Sequence, residues 1–586
     1  MQKTASLAQE ALFQRELPEG DIAYAERIKL SYSRAKAVTQ IYDLSVRDVL
    51  ELSPKYWEFH TDPILVMDSS VGTLLTIQYN LCLGTLGSYR ENRKELQALM
   101  TDVLRFRVSG QYCLTEVNHG LNAINIETTA TLQPNGDFIL HTPHPGAAKY
   151  MPPTAPFGIP CVAIVFARLI INGEDHGIRG FVVKLHDGFK MTEGIICRNV
   201  QLLPARGASR PVGHSLTYFS EVRLYSNALL GDMRKPKDSR ELFFNHIHRV
   251  ISGTLSMGAV ALSALRIGCY IGIAYSLRRN VQVLEGAIWV HRPISSFSTQ
   301  YIPLLAMVAQ SLVFESYGQE TYERFVDSKR SITQRHLLAA IFKTTVFRHT
   351  LDMLLEIGDR CGAQGLFEAN QLSVIHADMR GAAIAEGDIL GISIRFAIDI
   401  VRNKVQIPAV FYEGELLARH EDSIIAELKI LMNSWKNHRS LDAERNLLPH
   451  CRGVLEAIGH RCAYEAARSR GLPQPIIDLF VASLFERDAA WYSENAKLSR
   501  LQQKKMLLDR ATTLYQDLPK FLPLLRVESY ITAPIVSEER WNSFVSRLPV
   551  FSAKEVGVPF LDLPDQTHFN GMVSVSRKAV EMEKDS

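Results

Sequence analysis

The sequence contains no closely spaced cysteines, and this absence limits the kind of protein that it encodes. Its eight cysteines are spread over 586 residues and form no CxxC pair. Such spacing argues against a zinc site or a disulfide framework and is typical of reduced intracellular thiols. A strong charge of one sign is also missing, because the net charge is +3 and the basic residues are scattered. We therefore expect no bound metal and no nucleic-acid partner.

Targeting patterns are absent from both ends of the sequence. The first residues lack the charged, apolar and small-residue regions of a secretory signal. The last residues, EMEKDS, do not form a peroxisomal SKL-type signal. These observations favour an intracellular protein, either peroxisomal or cytoplasmic, over a secreted one.

Long hydrophobic runs are rare, and one stretch is an exception. Residues 251–277, ISGTLSMGAVALSALRIGCYIGIAYSL, are apolar apart from Arg266, and this length is enough for a membrane span. The stretch is rich in glycine, alanine and serine, and the chain as a whole has 46% hydrophobic and 22% charged residues, as soluble globular proteins do. We predict a helix buried in a bundle or at a subunit interface, rather than a membrane span.

The residue pattern divides the chain into four regions. Residues 1–109 have apolar positions at helical spacing, with Gly110 as the expected stop of the last helix. Residues 110–235 contain β-prone runs around turn signals at Asn135-Gly136 and Asn172-Gly173, which indicate antiparallel hairpins. Residues 236–430 and 431–586 return to helical spacing. The prediction is a mostly α protein with a central antiparallel β domain, an α+β fold whose four domains have these boundaries.

The stretch GQYCLTEVNHGLNAINIETTATL, residues 110–132, is a candidate cofactor-binding segment at the head of the β domain. Thr115 offers a hydroxyl and a backbone amide, and Gly120 permits a close approach, which together suit the edge of a planar cofactor. The alternative is an ordinary transition from strand to loop with surface polar residues. His119 by itself is more typical of an ordinary loop histidine.

The stretch RGAAIAEGDILGISIRFAIDI, residues 380–400, places two carboxylates in apolar surroundings. In one interpretation a loop ends there, Gly387 forms the turn and Asp388 caps the next helix. In the other, Glu386 is a base held in an apolar pocket. The residues alone leave both interpretations open.

Several blocks of the sequence, in a shared order, resemble one known family. YCLTEVNHGLNAINIETTATL is similar to the flavin-contacting segment of acyl-CoA oxidases, a branch of the acyl-CoA dehydrogenase superfamily, which reads close to YAQTELGHG followed by LETTAT. GFVVKLHDG and EVRLYSNALLGD are similar to later β-domain strands of that family. YSLRRN with FSTQYIPLLAMVAQS resembles the helix, loop and helix around the flavin diphosphate. DRCGAQGLFEANQL and IAEGDILG resemble the CGGHGY turn and the FEGEN element.

The resemblance implies an acyl-CoA oxidase-like fold with an extra C-terminal helical domain, and FAD bound between the β domain and the helical bundle. By analogy, Thr115 contacts the flavin ring. Arg278 or Arg279, Gln300 and the CGAQG turn, which contains Gly362, contact the FAD of a partner subunit in a homodimer. Guanidinium groups and glycine turns both suit a diphosphate. The alternative for the two arginines is a pair of charges that stabilises a helix C-terminus.

The resemblance also gives Glu386 a role. In the family, the carboxylate of the EGEN element removes the α-proton of an acyl thioester while a β-hydrogen leaves as hydride to the flavin. Apolar neighbours such as Ala382 and Ile389 are expected to raise the Glu386 pKa and make the carboxylate a stronger base. Asp388 stands where the family has Asn or Thr, and we interpret it as a helix cap or as a support for the cofactor.

Three positions depart from the family pattern. Pro153, in KYMPPT, stands where a glycine of the family's KWWPGG element approaches the flavin, and proline has no backbone N–H to donate there. Ala363 puts a methyl group in the CGAQG turn, and Ser298 replaces a usual glutamine. These changes leave the candidate base in place and affect the predicted contacts with the flavin.

The resulting hypothesis is a FAD-dependent enzyme that desaturates an acyl thioester, either acyl-CoA or an acyl group on a carrier protein. Reoxidation of the flavin by O₂, with release of H₂O₂, is expected for the oxidase branch. A dehydrogenase that uses another electron acceptor is the nearest alternative. A non-catalytic scaffold with the same fold is the alternative that Pro153 and Ala363 favour.

Overall fold

The computed structural model describes residues 2–14, 22–200, 211–435, 437 and 439–550. The chain separates into two compact units, residues 1–540 and 541–586. All the contacts given below belong to the first unit.

Short helices and one π-helical segment make up the N-terminal part of the fold. The π-helical segment is Ile77–Leu83. The helices are α1 (Tyr24–Tyr42), α2 (Val46–Glu51), α3 (Pro54–His60), α4 (Ile64–Met67), α5 (Ser69–Thr76), α6 (Gly84–Gly87) and α7 (Lys94–Leu104).

The end of α7 differs from the prediction. Gly110 does not stop this helix, because α7 ends at Leu104 and Gly110 lies inside the first strand. The chain turns instead at the buried Phe106, which has φ +53. The backbone N–H of Arg107 then donates to the Asp102 carbonyl at 2.9 Å and closes the helix.

Two sheets follow the N-terminal helices. Their strands are β1 (Ser109–Cys113), β2 (Thr129–Leu132), β3 (Phe138–His141), β4 (Lys149–Pro153), β5 (Cys161–Ile171), β6 (Glu174–His186), β7 (Ile195–Asn199), β8 (His214–Phe219), β9 (Val222–Leu224) and β10 (Leu229–Leu230). The larger sheet has the order β10-β6-β5-β2-β3-β9 with β1 beside β5, and the smaller one has the order β4-β8-β7. Alternating apolar side chains of the larger sheet form a buried core.

Both predicted hairpins are confirmed. Strands β2 and β3 pair antiparallel across the turn at Asn135-Gly136, and β5 pairs antiparallel with β6 across Asn172-Gly173. The antiparallel prediction does not hold along one side of the central strand β5, since β1 and β2 both run parallel to it. Parallel neighbours need a long connection, and β2 is joined to β5 by the chain that contains β3 and β4. A turn signal cannot reveal such pairing because the two strands are distant in sequence.

Long helices form the bundle that follows the sheets. They are α8 (Ser239–His246), α9 (Arg249–Arg278), α10 (Ser298–Val326), α11 (Ile332–Arg360), α12 (Leu372–Ile384), α13 (Ile389–Val401) and α14 (Leu416–Asn433). Among the described residues one helix, α9, is long and apolar enough to cross a membrane, and 89% of its most apolar window is buried inside the protein. The predicted buried bundle helix is therefore confirmed.

The connection from α9 to α10 is a β-hairpin rather than the expected loop. It consists of β11 (Asn280–Glu285) and β12 (Ile288–Pro293), which pair antiparallel. Its tip exposes Leu284, Ile288 and Trp289.

The C-terminal helices are α15 (Leu441–Leu447), α16 (Cys451–Ser469), α17 (Gln474–Ser483), α18 (Ala489–Glu494), α19 (Arg500–Leu514), α20 (Phe521–Leu525) and α21 (Glu538–Val545). A buried ion network ties α16 to α14. The guanidinium of Arg461 donates to Glu421 and, at 2.7 Å, to Glu465. It also donates to the carbonyls of Pro408 and Ala409 at 3.0 and 3.1 Å. The network thus joins two helices and the segment that precedes α14.

We predict that Arg461→Ala lowers the free energy of unfolding by about 3–5 kcal/mol, because it leaves two buried carboxylates without their cation. Guanidinium-induced unfolding measures this change. Arg452→Ala is the matched control, since Arg452 lies on the same helix in a more exposed pair with Glu456 at 3.1 Å. We expect that control to cost less than about 1 kcal/mol. Equal losses in the two variants would contradict the importance of the buried network.

Candidate active site

The loop between α12 and α13 carries the candidate base. Glu386 has φ +56 and Gly387 has φ +93, and the left-handed region is unfavourable for a residue other than glycine. The Asp388 carboxylate accepts hydrogen bonds from the N–H groups of Leu390 and Gly391 at 3.1 and 3.0 Å. The predicted turn at Gly387 and the predicted helix cap at Asp388 are therefore both confirmed.

Side chains from two long helices hold this loop through three successive carbonyl groups. Lys343 on α11 donates to the carbonyls of Ala385 and, at 2.6 Å, of Gly387. Thr254 on α9 donates its hydroxyl to the carbonyl of Glu386 at 2.7 Å. The left-handed conformation of Glu386 is thus fixed from two sides by elements that are distant in sequence.

The Glu386 carboxyl group lies directly against the backbone of α9. A Cβ atom added to Gly253 would lie 2.0 Å from Oε2 of Glu386 and 2.8 Å from Nδ2 of Asn80. Gly253 is therefore required at this position to make room for the carboxyl group. The Oε2 atom is buried and makes no hydrogen bond with a described residue.

Burial dominates the electrostatics of Glu386. It raises the pKa of the carboxyl group to about 8, although the cations of Lys343 and Arg249 oppose the shift. Burial also lowers the pKa of Lys343, and the nearby carboxylates of Glu386 and Asp388 oppose this second shift. The charged form of each group thus favours the charged form of the other.

A polar network places Arg249 beside the carboxyl group. Arg249 is buried and donates to the carbonyls of Asn80 and Val49, each at 3.0 Å. Asn80 lies in the π-helical segment and donates its amide to the Arg249 carbonyl at 2.9 Å. Its side-chain oxygen accepts from the Ser252 hydroxyl at 2.8 Å. The N-terminal helices therefore contribute to the site through Asn80.

The predicted cofactor segment after β1 lies close to the same loop. A Cβ atom added to Gly391, at the start of α13, would lie 3.8 Å from the side chain of Leu121. Thr115 is half-buried and its carbonyl accepts from the Tyr150 N–H at 2.9 Å. Gly120 is exposed, and no described residue lies within 4 Å of where its Cβ would be. Packing within the chain therefore does not require glycine at this position, and its contact with a cofactor stays a prediction.

An ion pair anchors this segment to β4. The buried Glu116 carboxylate accepts from Lys149 at 2.9 Å, from both the N–H and the hydroxyl of Thr128, and from the N–H of Glu127. His119 contacts Glu127 at 3.1 Å. Glu116, His119 and Glu127 lie within 4.8 Å of one another. Hydrogen bonds already occupy both oxygens of Glu116, so we assign no metal to this cluster.

Pro153 ends β4 and is buried opposite His214 of β8. Proline has no N–H to donate to a neighbouring strand. It is therefore tolerated in a sheet only where no such hydrogen bond is needed, as at the end of a strand. The neighbouring Thr154 hydroxyl bonds to the Thr217 hydroxyl at 2.7 Å. The departure at Pro153 is thus accommodated by the β domain itself, and a flavin contact there stays a prediction.

The other predicted cofactor residues gather at the opposite end of α11. Gln300 donates to the Ser276 hydroxyl at 2.8 Å and to the Arg360 carbonyl at 3.1 Å. Gly362, with φ +60, follows two residues later, and no described residue lies within 4 Å of where its Cβ would be. Gln300 and Gly362 are thus brought together by the C-terminal end of α11.

The two arginines at the end of α9 have different surroundings. Arg278 is the last residue of the helix, donates to the Ile535 carbonyl at 3.0 Å and pairs with Glu538. Arg279 is exposed, and its guanidinium makes no hydrogen bond or ion pair with the described residues. Arg278 therefore has a structural role within the chain, whereas Arg279 is the free cation of the pair.

The candidate base and the diphosphate candidates are far apart within one chain. Lys343, beside Glu386, and Arg360, beside Gln300, are both on α11. Their seventeen-residue separation corresponds to about 26 Å along the helix axis. The described part of one chain therefore does not bring Gln300 and Gly362 to Glu386.

Sequence reasoning missed four residues of the site, namely Asn80, Arg249, Gly253 and Lys343. One usable signal was present for Lys343, a single cation inside the apolar stretch LLAAIFKTTVF. A lysine that the helical pattern places on a buried face is a functional candidate. Gly253 was visible only as one of many small residues in the apolar run that became α9.

The family model described as acyl-CoA oxidase, C-alpha1 domain, matches residues 250–397. Putative peroxisomal acyl-coenzyme A oxidase 1.2 of Arabidopsis thaliana is 26% identical over 54% of this chain and 50% of the relative. Peroxisomal acyl-coenzyme A oxidase 3 of Homo sapiens is 24% identical over 66% of this chain and 57% of the relative. The chain is thus similar in sequence to acyl-CoA oxidases over more than half of its length.

Solved structures of acyl-CoA oxidases share the fold of this chain. The crystal structure of acyl-CoA oxidase 1 from Yarrowia lipolytica has a TM-score of 0.80 at 17% identity and covers 96% of this chain and 93% of its own. A Caenorhabditis elegans acyl-CoA oxidase-1 complexed with FAD and ATP has a TM-score of 0.76 at 17% identity and covers 98% and 93%. The fold predicted from the sequence is therefore confirmed. The chain spans about half the length of the curated relatives it matches.

We predict that Gly253→Ala gives none of the stability that alanine normally adds to a helix, because the new methyl group must displace the Glu386 carboxyl group. Gly453→Ala on α16 is the matched control, since no described residue lies within 4 Å of where its Cβ would be. That control should raise the free energy of unfolding by about 0.5–1 kcal/mol. Chemical unfolding compares the two variants. An equal gain for Gly253→Ala would show that the carboxyl group does not occupy this position.

Proposed function

We propose that the protein is a FAD-dependent enzyme that desaturates an acyl thioester between Cα and Cβ, with Glu386 as the base. The observation that carries this proposal is the state of the Glu386 carboxyl group, whose Oε2 atom is buried and makes no hydrogen bond with a described residue. Its pKa of about 8 also makes it a stronger base than an ordinary carboxylate. The relatives named as acyl-coenzyme A oxidases support the same reaction class.

The residues present fit FAD at two places. Thr115 is half-buried, in the segment whose Leu121 lies beside Gly391 at the start of α13, and the ring of a flavin is expected at this segment. Arg279 is an exposed cation without an acidic partner among the described residues, and Gly362 leaves open space at a left-handed turn. A cation and an open turn are the donor set that a diphosphate requires. FAD, when bound, supplies the acceptor for the β-hydride.

Proton removal is the step that the chain's own residues perform. The α-proton of a thioester is weakly acidic, so the carboxylate that accepts it must be a strong base and must exclude water. Gly253 lets the carboxyl group lie against α9, and burial raises its proton affinity. Proton transfer from Cα to Glu386 leaves negative charge on the thioester oxygen.

A backbone group of the same loop is suited to stabilise that charge. The N–H of Glu386 donates to no described residue, whereas all three carbonyls from Ala385 to Gly387 are occupied. The backbone N–H of Glu386 is thus left as a donor beside the base. Preorganised N–H donors of this kind stabilise charge that develops in a transition state.

We propose O₂ as the acceptor that reoxidises the flavin, with H₂O₂ as the product, because the family match is to oxidases. The substrate class is acyl-CoA, with an acyl group on a carrier protein as the alternative. A dehydrogenase that uses another acceptor is the second candidate. Pro153 and Ala363 favour a third candidate, a non-catalytic scaffold. Flavin in the purified protein would support either enzyme over this scaffold.

We propose a homodimer that shares FAD sites, and the distances within the chain support it. Gln300 and Gly362 lie at the far end of α11 from Glu386. A diphosphate bound there belongs to a flavin whose ring reaches the Glu386 of another subunit. We propose an intracellular protein, and the peroxisome, which the relatives' names specify, as its compartment.

We predict that the purified protein shows the absorbance of oxidised flavin and that an acyl-CoA bleaches it under anaerobic conditions. A panel of acyl-CoA chain lengths identifies the substrate. On adding air, H₂O₂ should form in a 1:1 ratio with the desaturated product, because each oxidised substrate reduces one O₂. Turnover only with an artificial electron acceptor would replace the oxidase by the dehydrogenase. A colourless protein that FAD does not reconstitute would support the scaffold.

We predict that Glu386→Gln keeps flavin absorbance and abolishes bleaching by the acyl-CoA, since an amide cannot accept the α-proton. In the unaltered enzyme the reduction rate should rise with pH through about pH 8, as the carboxyl group loses its proton. Stopped-flow anaerobic reduction measures both effects. Asp388→Asn is the control, because asparagine also caps helices, and it should retain bleaching. Near-normal reduction in Glu386→Gln would move the base to another residue.

A further inference from the structure

One fully buried cation in the bundle takes no direct part in the proposed proton transfer to Glu386. Lys343 has 0% exposure, and the described residues place no carboxylate oxygen within the 4.0 Å of an ion pair to its Nζ atom. Its two hydrogen bonds go to the neutral carbonyls of Ala385 and Gly387. A buried ammonium without an ion pair is unfavourable compared with an apolar side chain of the same length. Space filling alone therefore does not explain it.

We propose that Lys343 is a positioning residue for Glu386, whose ammonium both holds the loop of the base and supplies the positive charge against which the carboxyl group ionises. This inference rests on the proposed function, since it concerns the residue assigned there as the base.

Loop geometry supports the first part of this role. The carbonyls that Lys343 binds belong to the residues immediately before and after Glu386. One side chain therefore bridges the two flanks of a residue with φ +56, a conformation that non-glycine residues avoid. Thr254 binds the carbonyl between them from the opposite helix. Lys343 and Thr254 together fix the backbone from which the carboxyl group projects.

The charges around the carboxyl group support the second part. Five titratable groups act on Glu386 or on Lys343 from the neighbouring elements. They are Lys343 on α11, Arg249 on α9, Tyr112 on β1, Tyr56 on α3 and Asp388 on the loop itself. Burial raises the pKa of both tyrosines, so they stay neutral near pH 7. Of the two cations that favour the ionised carboxylate, Lys343 has the larger effect.

The test compares Lys343→Met with the unaltered holoenzyme by two measurements. Infrared difference spectroscopy follows protonation of the Glu386 carboxyl group without substrate, with Glu386→Gln to identify its band. Anaerobic stopped-flow reduction gives the pH profile with an acyl-CoA. We expect the midpoint of both titrations to rise by about one pH unit or more, because a neighbouring cation is lost. The reduction rate at pH 7 should fall about tenfold, which corresponds to one pKa unit.

Thr254→Val is the matched control for loop geometry. It removes one hydrogen bond to the same loop and changes no charge, so the reduction rate should fall while the midpoint stays in place. Lys343→Gln is a second variant in case methionine prevents folding, since it keeps an N–H donor and removes the charge. We expect the midpoint to rise in this variant as well.

An unchanged midpoint in Lys343→Met and Lys343→Gln would overturn the proposal. An equal shift in Thr254→Val would also overturn it, because the effect would then follow loop geometry rather than charge. The infrared titration does not depend on turnover. If Glu386→Gln still bleached with substrate, the proposed base would be wrong, but the infrared midpoint would still report the coupling between Lys343 and Glu386.

Discussion

The hydrogen bonds to three successive carbonyls, at residues 385–387, are the interaction on which the candidate site depends. Lys343 and Thr254 supply these bonds from two helices of the bundle. They hold Glu386 in a left-handed conformation, and Asp388 can then cap α13 immediately afterwards. The carboxyl group consequently faces the bare backbone at Gly253. Each of these features requires the packing of α9 against α11, so the site is a product of the bundle rather than of the loop.

Burial and nearby charges have opposite effects on the protonation of the candidate site. Burial makes the carboxyl group of Glu386 a weaker acid and the ammonium of Lys343 a stronger acid, while the charge of each opposes the shift of the other. An isolated carboxyl group at the same depth would hold its proton more strongly and would be a poor base at neutral pH. A nearby cation keeps it in the range where it both accepts and releases a proton. The cation of the buried Arg249 also favours the ionised Glu386 carboxylate, with a smaller effect than Lys343.

Helix α11 separates two groups of functional candidates. Lys343 and Glu386 lie near the middle of this helix, and Gln300 and Gly362 lie beside Arg360 at its C-terminal end. The intervening distance is about 26 Å, so a single chain offers the two groups to different ligands or to different parts of a shared assembly. In the proposed homodimer, Gln300 and Gly362 of one subunit and Glu386 of the other contact the same flavin.

The sequence by itself predicted the features that form between residues close together along the chain. Turn signals at Asn135-Gly136 and Asn172-Gly173 predicted both hairpins, the apolar run became α9, and Gly387 with Asp388 formed the predicted turn and cap. Each of these signals acts over a few residues. The shared order of motifs then identified Glu386 as the candidate base, which spacing alone had left open.

Only the tertiary structure decided which distant side chains surround that base. Asn80, Arg249, Gly253 and Lys343 come from separate regions of the chain and carry no common spacing. The parallel pairing of β1 and β2 with β5, and the turn at Phe106 in place of Gly110, were likewise decided by packing between distant segments. The sequence thus identified the candidate base, whereas long-range packing determined its conformation, its burial and the cations that lie near it.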